Sequence, residues 1–194
     1  MTIKEYAKVF VGCSVPSMLI DLLMFEHMQE LEGQYSDGFS LITNSDFRWT
    51  IWSSAVGSSK SLIPFAQADS SGSIYAFWCQ GECTDLSEAP IVVFGGEGHY
   101  HVVANDLLEL LQLLSFDVEP IVDDDGIYFY KDEENHEPSP YNRKYKKWLR
   151  EHFQLSIISS NFGAEMLVEA AQKRHQHTFL IWIEHFVQQK FHFN

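Results

Sequence analysis

The sequence lacks the features that mark most secreted, membrane-spanning and metal-stabilised small proteins. Its three cysteines are an odd number without zinc-finger spacing, so neither a disulfide framework nor a structural zinc site is predicted. No run of about 18 apolar residues occurs, and no membrane-spanning helix is therefore predicted. Only three apolar residues immediately precede Gly12, too few for the core of a signal peptide. We expect reduced thiols and a cytoplasmic location.

Motifs that would indicate catalysis or nucleotide binding are also missing. There is no G-x-S-x-G nucleophile elbow, and the glycine-rich stretch 95–98 lacks the lysine of a phosphate-binding loop. None of the cysteines has the sequence context of an activated nucleophile. The run Asp123–Asp125 lacks the alternating spacing of a calcium loop. These absences favour a protein that is not an enzyme and needs no cofactor.

Positive charge is scarce, above all in the middle of the chain. The 194 residues include 13 Lys and Arg against 27 Asp and Glu, a formal net charge of -14. From Phe65 to Glu137 sixteen acidic residues accompany one basic residue, Lys131, whereas a basic cluster occupies 143–150. This distribution disfavours nucleic acid and anionic membranes as partners and favours a basic protein.

What the sequence does contain is enough apolar material for one packed core, with 45% hydrophobic and 14% aromatic residues. Strands are predicted at Phe39–Thr43, Trp49–Trp52, Ile74–Trp78, Ile91–Phe94, within Glu97–Val103 and at Ile127–Tyr130. Helices are predicted from Pro16 to near Gly33, after an N-cap at Asn105, over 141–152, and from Asn161 towards Lys190, where Phe179–Ile183 is alternatively a strand. Strands that precede helices predict an α+β fold, with a mixed, largely antiparallel sheet flanked by helices. The predicted domain covers residues 1–137, and residues 138–194 form a helical extension packed on it.

One short segment has the composition of a metal site. On a strand, Glu97, His99 and His101 would share one face, and a carboxylate with two imidazoles suits zinc or iron. The competing interpretation is the solvated face of a half-buried strand, which Gly98 and the lack of further spaced ligands favour. A metal-dependent enzyme built on these three residues is the alternative function.

The acidic residues of the middle segment are the candidate partner-binding residues. They are Asp69, Glu82, Asp85, Glu88, Glu97, Asp123, Asp124 and Asp125. Gathered into one patch, they would attract a basic partner and reject others. Two alternatives are that they form turns and solvate loops, or that the basic face around Lys146 neutralises them within the molecule.

Five stretches of the chain carry a family resemblance. They are Ile63-Pro64-Phe65-Ala66 followed by Asp69 and Gly72, Ile74–Trp78, Pro90–Phe94, Gly96-Glu97-Gly98, and Val103-Ala104-Asn105 before a leucine-rich helix. Together they resemble the SUKH superfamily, which includes bacterial immunity proteins and a fungal cell-wall regulator. The resemblance covers roughly Val15 to Phe116.

The resemblance implies scaffold roles, not catalytic ones, for Phe65, Gly72, Tyr75, Trp78, Val93 and Leu110. It also implies that the chain is an immunity protein, which binds a cognate toxin, often a nuclease, and so protects the cell that makes it. An acidic surface suits the basic cleft of such a toxin. A regulatory scaffold like the fungal member is the remaining alternative.

Overall fold

A five-stranded sheet lies at the centre of the computed structural model, which describes residues 1–10, 12–29, 35–42, 61–81 and 85–191. The strands are β1 Ser40–Leu41, β2 Leu62–Gln67, β3 Ile74–Trp78, β4 Ile91–Phe94 and β5 Tyr100–Ala104. Each strand pairs antiparallel with the next, and their spatial order is their order in the chain. A separate hairpin consists of β6 Ile121–Val122 and β7 Ile127–Tyr128.

Helices cover the sheet. They are α1 Ile3–Tyr6, continued by a 3₁₀ turn at Ala7–Val9, then α2 Ser17–Gln29, α3 Leu107–Leu114, α4 Asn142–Phe153 and α5 Asn161–Phe191. The predicted α+β class is thus confirmed, although every strand pairing in the described ranges is antiparallel and none is parallel. The strand predicted at Trp49–Trp52 and the helix end predicted near Gly33 lie outside the described residues.

The central strands are apolar on both faces because both faces are buried. In β3, Tyr75 and Phe77 point to one side of the sheet, whereas Ala76 and Trp78 point to the other. The first side meets α2, α3 and α4, whose buried residues include Leu22, Leu110, Leu111, Tyr145 and Leu149. This larger core accounts for the leucine-rich face of α3 and the aromatic face of α4.

The other face of the sheet is covered by α5. Phe179 and Ile183 of this helix are fully buried against the strands, and the Phe179 ring lies 5.1 Å from that of Trp78 in an edge-to-face arrangement. Nearer its start, the same helix sends Ala164 and Val168 into the first core. The alternative of a strand at Phe179–Ile183 is therefore wrong, and the segment after residue 138 contributes side chains to both cores.

The start of α3 differs from the prediction by one residue. The N-cap is Asp106, whose carboxylate accepts a hydrogen bond of 2.9 Å from the Glu109 N–H. The predicted cap, Asn105, instead donates its backbone N–H to the Glu109 carboxylate at 2.9 Å. Asn and Asp are equally good caps, so two of them in succession leave the position ambiguous in sequence.

A polar lock joins α5 to β5, the last strand of the sheet. The Gln176 carbonyl oxygen accepts the Val102 backbone N–H at 2.7 Å, and the Gln176 amide nitrogen donates to His101 Nδ1 at 3.2 Å. Nδ1 must therefore be an acceptor, which places the ring hydrogen on Nε2, where it meets the Asp123 carbonyl oxygen at 2.8 Å. The lock satisfies a donor that an edge strand would otherwise leave unpaired.

We expect Gln176→Ala to lower the free energy of unfolding by about 1–3 kcal/mol, because it leaves the buried Val102 N–H without an acceptor. Gln188→Ala, at an exposed position of the same helix, should change it by less than about 0.5 kcal/mol. Urea denaturation of the two variants and the parent measures both values. Equal stability of the two variants would contradict the role assigned to Gln176.

Candidate functional site

Three acidic turns meet at one end of the sheet. In an antiparallel meander, the β2–β3 and β4–β5 turns lie at the same end, and the Gly96 N–H bonds to Ser73 Oγ across them at 3.1 Å. The β6–β7 hairpin is held at this end by the bond from His101 to the Asp123 carbonyl oxygen. We call the carboxylates gathered here the acidic end: Asp37, Asp69, Glu97, Glu119, Asp123, Asp124 and Asp125.

Two of the predicted partner-binding residues shape the turns in which they lie. Asp69 Oδ1 accepts the backbone N–H groups of three successive residues, 71–73, each at 2.8 Å. Asp123 Oδ1 accepts the N–H groups of Asp125 at 2.9 Å and Gly126 at 3.0 Å. In the described residues, no hydrogen bond involves Oδ2 of either Asp69 or Asp123. Each side chain therefore orders its turn through one carboxylate oxygen.

The remaining predicted residues are divided between the two ends of the sheet. Asp124, Asp125 and Glu97 are exposed at the acidic end. Asp85 and Glu88 lie in the β3–β4 connection, which an antiparallel meander places at the opposite end. These two residues therefore lie apart from the others, and a role for them in partner binding stays a prediction. Glu82 lies outside the described residues.

Two members of the acidic end, Asp37 and Glu119, were not among the predicted residues. Asp37 precedes Gly38, whose φ of +70° and contact with the backbone at Ala68 and Glu119 leave no room for a side chain. The sequence marks Asp37-Gly38 as a turn, but nothing in it shows that this turn packs beside residue 119. A local sequence pattern cannot show which loops pack together when they are this far apart in the chain.

The pKa of the Glu119 carboxyl shows that other acidic groups lie close to it. Burial raises its pKa above the ordinary value, and the carboxylates of Asp37 and Asp69 raise it further. The hydrogen bond from the Ser70 N–H, 3.1 Å long, opposes this shift in the pKa. Like charges therefore already repel one another here, and a cationic partner would relieve the repulsion.

The buried carboxylate of Asp117 connects two loops next to the acidic end. It accepts the Asp37 N–H at 2.8 Å, the Ser139 N–H at 2.9 Å and the Ser139 hydroxyl at 2.6 Å. His136 Nε2 lies 3.6 Å from its second oxygen. Because charge-assisted bonds of this kind are strong, Asp117 fixes the positions of two loops that surround the acidic end.

Three shallow depressions form one continuous belt along this side of the molecule. The first is lined by residues 36–40, Gln67, Asp69, Ser70, Glu119, Ser139 and Pro140. The second is lined by Asp37, Val118, Glu119, Tyr130, Lys131, Asp132, Asn135 and His136. The third, which we call the hairpin groove, is lined by 125–130 on one wall and by Asn161, Glu165, Val168, Glu169 and Gln172 of α5 on the other. Asp37 and Glu119 connect the first two depressions, and Tyr130 connects the second to the third.

Among the described residues, no lysine or arginine forms an ion pair with the carboxylates of the acidic end. Lys131 donates its ammonium group to the Phe116 carbonyl oxygen, over the Phe116 ring, and so is turned inward. Among the described side chains, no Lys or Arg nitrogen lies within 4.0 Å of a carboxylate of the acidic end. The cationic side chains of α4 at 143, 144, 147 and 150 are exposed. Ion pairs between the basic helix and the acidic end are therefore not seen among the side chains that the structure describes.

Exposed apolar side chains cluster beside the hairpin groove. Nine large apolar side chains in the described residues are exposed, and five of them belong to the hairpin segment or the first two turns of α5. They are Ile121, Tyr128, Tyr130, Phe162 and Met166. Such concentration on two adjacent elements is typical of an interaction surface, in which aromatic residues supply contact area and charged residues surround them.

The metal-binding arrangement of the alternative interpretation does not form among the described residues. β5 begins at Tyr100, so Glu97 lies in the β4–β5 turn, closed by Gly98 N–H to Gly95 carbonyl at 3.1 Å. Both ring nitrogens of His101 are engaged by protein groups. His99 Nδ1 lies 3.8 Å from Asp124. Within the described ranges, no three His, Cys, Asp or Glu side chains are grouped so that they could hold a metal ion.

Comparison of the chain with protein-family models, with curated proteins and with solved structures gave no match. In the part of the chain that the structure describes, no helix is long and apolar enough to cross a membrane.

We expect Glu119→Gln to raise the melting temperature at pH 7. The fold raises the pKa of this carboxyl, so stability is lost as the pH rises above the unfolded value of about 4.3 and the group ionises. A glutamine keeps the acceptor for Ser70 without the charge, and the gain should vanish below about pH 4. Glu88→Gln, which removes the same charge at the opposite end, is the control. If Glu119→Gln melted at pH 7 at a temperature no higher than Glu88→Gln, the repulsion between Glu119 and its neighbouring carboxylates would be contradicted.

Proposed function

We propose that this chain is a non-enzymatic binding protein that captures a basic protein at the acidic end. The observation that carries the proposal is the convergence of carboxylates from three separate turns, beside Asp37 and Glu119, without a Lys or Arg ion pair among the described side chains. A surface of one sign raises the rate of encounter with an oppositely charged partner and rejects partners of like charge.

The kind of partner is suggested by the resemblance at Ile63 to Leu114. It supports a cytoplasmic immunity protein whose target is a cognate toxin domain, possibly a nuclease. The basic cleft that such a toxin needs for nucleic acid is complementary in charge to the acidic end. Neutralisation would follow from occupation of that cleft and requires no chemistry from the immunity protein. A regulatory scaffold would use the same surface and would differ in having several unrelated partners.

The metal-dependent enzyme is the weaker alternative. Its three proposed ligands are divided between a turn and a strand, and His101 has no lone pair left for a metal. Zinc or iron bound in stoichiometric amounts to the purified protein, and lost on His99→Ala, would restore that alternative.

Reversal of one charge at each end of the sheet, in separate variants, tests whether the acidic end is the binding surface. Tagged parent, Asp125→Lys and Glu88→Lys proteins are used to capture partners at low salt from the cells that produce the chain. Both substitutions change the net charge by the same amount at exposed positions. We expect the parent and Glu88→Lys to retain one basic toxin domain, and Asp125→Lys to lose most of it. Several unrelated partners would favour the scaffold instead.

With that toxin domain purified, the association rate constant tests the electrostatic role. We expect Asp125→Lys to slow association about threefold to tenfold at low salt, and the difference to shrink as salt screens the charges. Glu88→Lys should change the rate far less. Equal effects of the two substitutions would show that the acidic end is not the binding surface.

A further inference from the structure

The hairpin groove differs from the rest of the acidic end because it combines carboxylates with aromatic surface. It is an open cleft of about 290 Å³ between residues 125–130 and one face of α5. Asn161 fixes its two walls, since its side chain accepts the Lys131 N–H at 2.7 Å and donates to the Lys131 carbonyl oxygen at 3.2 Å. The groove is therefore a preformed feature and not a gap between independent elements.

One wall of the groove offers two tyrosine rings. Tyr128 and Tyr130 both line it, and both are about half exposed or more. The intervening residue, Phe129, is buried in the core and anchors this strand segment. Alternation along the chain thus turns both tyrosines outward on a fixed backbone, where the rings can stack against a flat group.

The opposite wall offers carboxylates without counter-ions. Glu165 and Glu169 are one helical turn apart on α5, a spacing at which like charges destabilise a helix. Asp125 contributes a third carboxylate from the hairpin. No Lys or Arg nitrogen lies within 4.0 Å of these three groups among the described side chains. In the part of the chain that the structure describes, no lysine or arginine lines the groove.

From this combination we infer that the hairpin groove is a receptor for arginine side chains on an extended segment of the basic partner. The guanidinium group is planar, so it stacks on a tyrosine ring while it donates two parallel hydrogen bonds to a carboxylate. A lysine ammonium satisfies the charge but neither stacks nor bonds in this way. The inference rests on the proposed capture of a basic protein and specifies the residue type that is recognised.

Oligo-arginine and oligo-lysine peptides of equal length are suitable probes, because they carry the same charge. Binding of each to the full chain is measured by isothermal titration calorimetry at low salt. We expect oligo-arginine to bind about five- to tenfold more tightly than oligo-lysine. Tyr128→Ser together with Tyr130→Ser should abolish this preference, whereas the paired Phe substitutions, which keep the rings, should preserve it. Ile181→Ser, at an exposed apolar position of α5 outside both the groove lining and the exposed cluster, is the control and should leave the preference unchanged.

The possible results distinguish a failure of the arginine receptor from a failure of the proposed capture of a basic protein. If both peptides bind equally and the tyrosine variants have no effect, the arginine receptor is wrong although capture of basic partners at the acidic end stands. If the preference persists in Glu165→Gln with Glu169→Gln, the groove is not where arginine binds. If neither peptide binds at low salt, the proposed function and the inference both fail.

Discussion

Burial of the second face of the sheet by α5 determines where apolar and charged residues can lie in this protein. Trp78, Val92 and Val102 are completely or almost completely buried, and they are covered by side chains of this one helix. Without it, the sheet would present a broad apolar surface to water. With it, the strands are apolar on both faces, and charged residues are left for the turns and the outer faces of the helices.

This arrangement explains how the acidic turns combine structure with surface charge. Asp69 and Asp123 each use one carboxylate oxygen to order a turn, yet the charge of each remains at the surface. The turns are packed on one another through Ser73 and His101, so the charges are held in fixed relative positions. Docking of a partner on such a surface would cost little conformational entropy, because its backbone is already ordered.

Local patterns in the sequence define the centre of the fold better than its surface. The limits of β3 and β4 follow from apolar runs bounded by Ser73 and Pro90, and the structure confirms them. The alternation of Glu97, His99 and His101 suggests one strand face only if the strand includes residue 97, but the strand begins at Tyr100 and Glu97 lies in the preceding turn. The hairpin groove was not predictable: its walls are more than thirty residues apart in sequence, and the aromatic pattern of 127–130 does not show which side of the strand remains uncovered.

The position of α5 in the chain also has a consequence for synthesis. Translation delivers the strands before the helix that covers them, so the apolar residues of the second face lack their cover until α5 has been made. Strands of this kind aggregate unless charged residues flank them. The segment that is exposed during that interval, from Phe65 to Glu137, contains sixteen acidic residues and one lysine. We therefore expect the negative charge of this segment to oppose association between neighbouring nascent chains before α5 is in place.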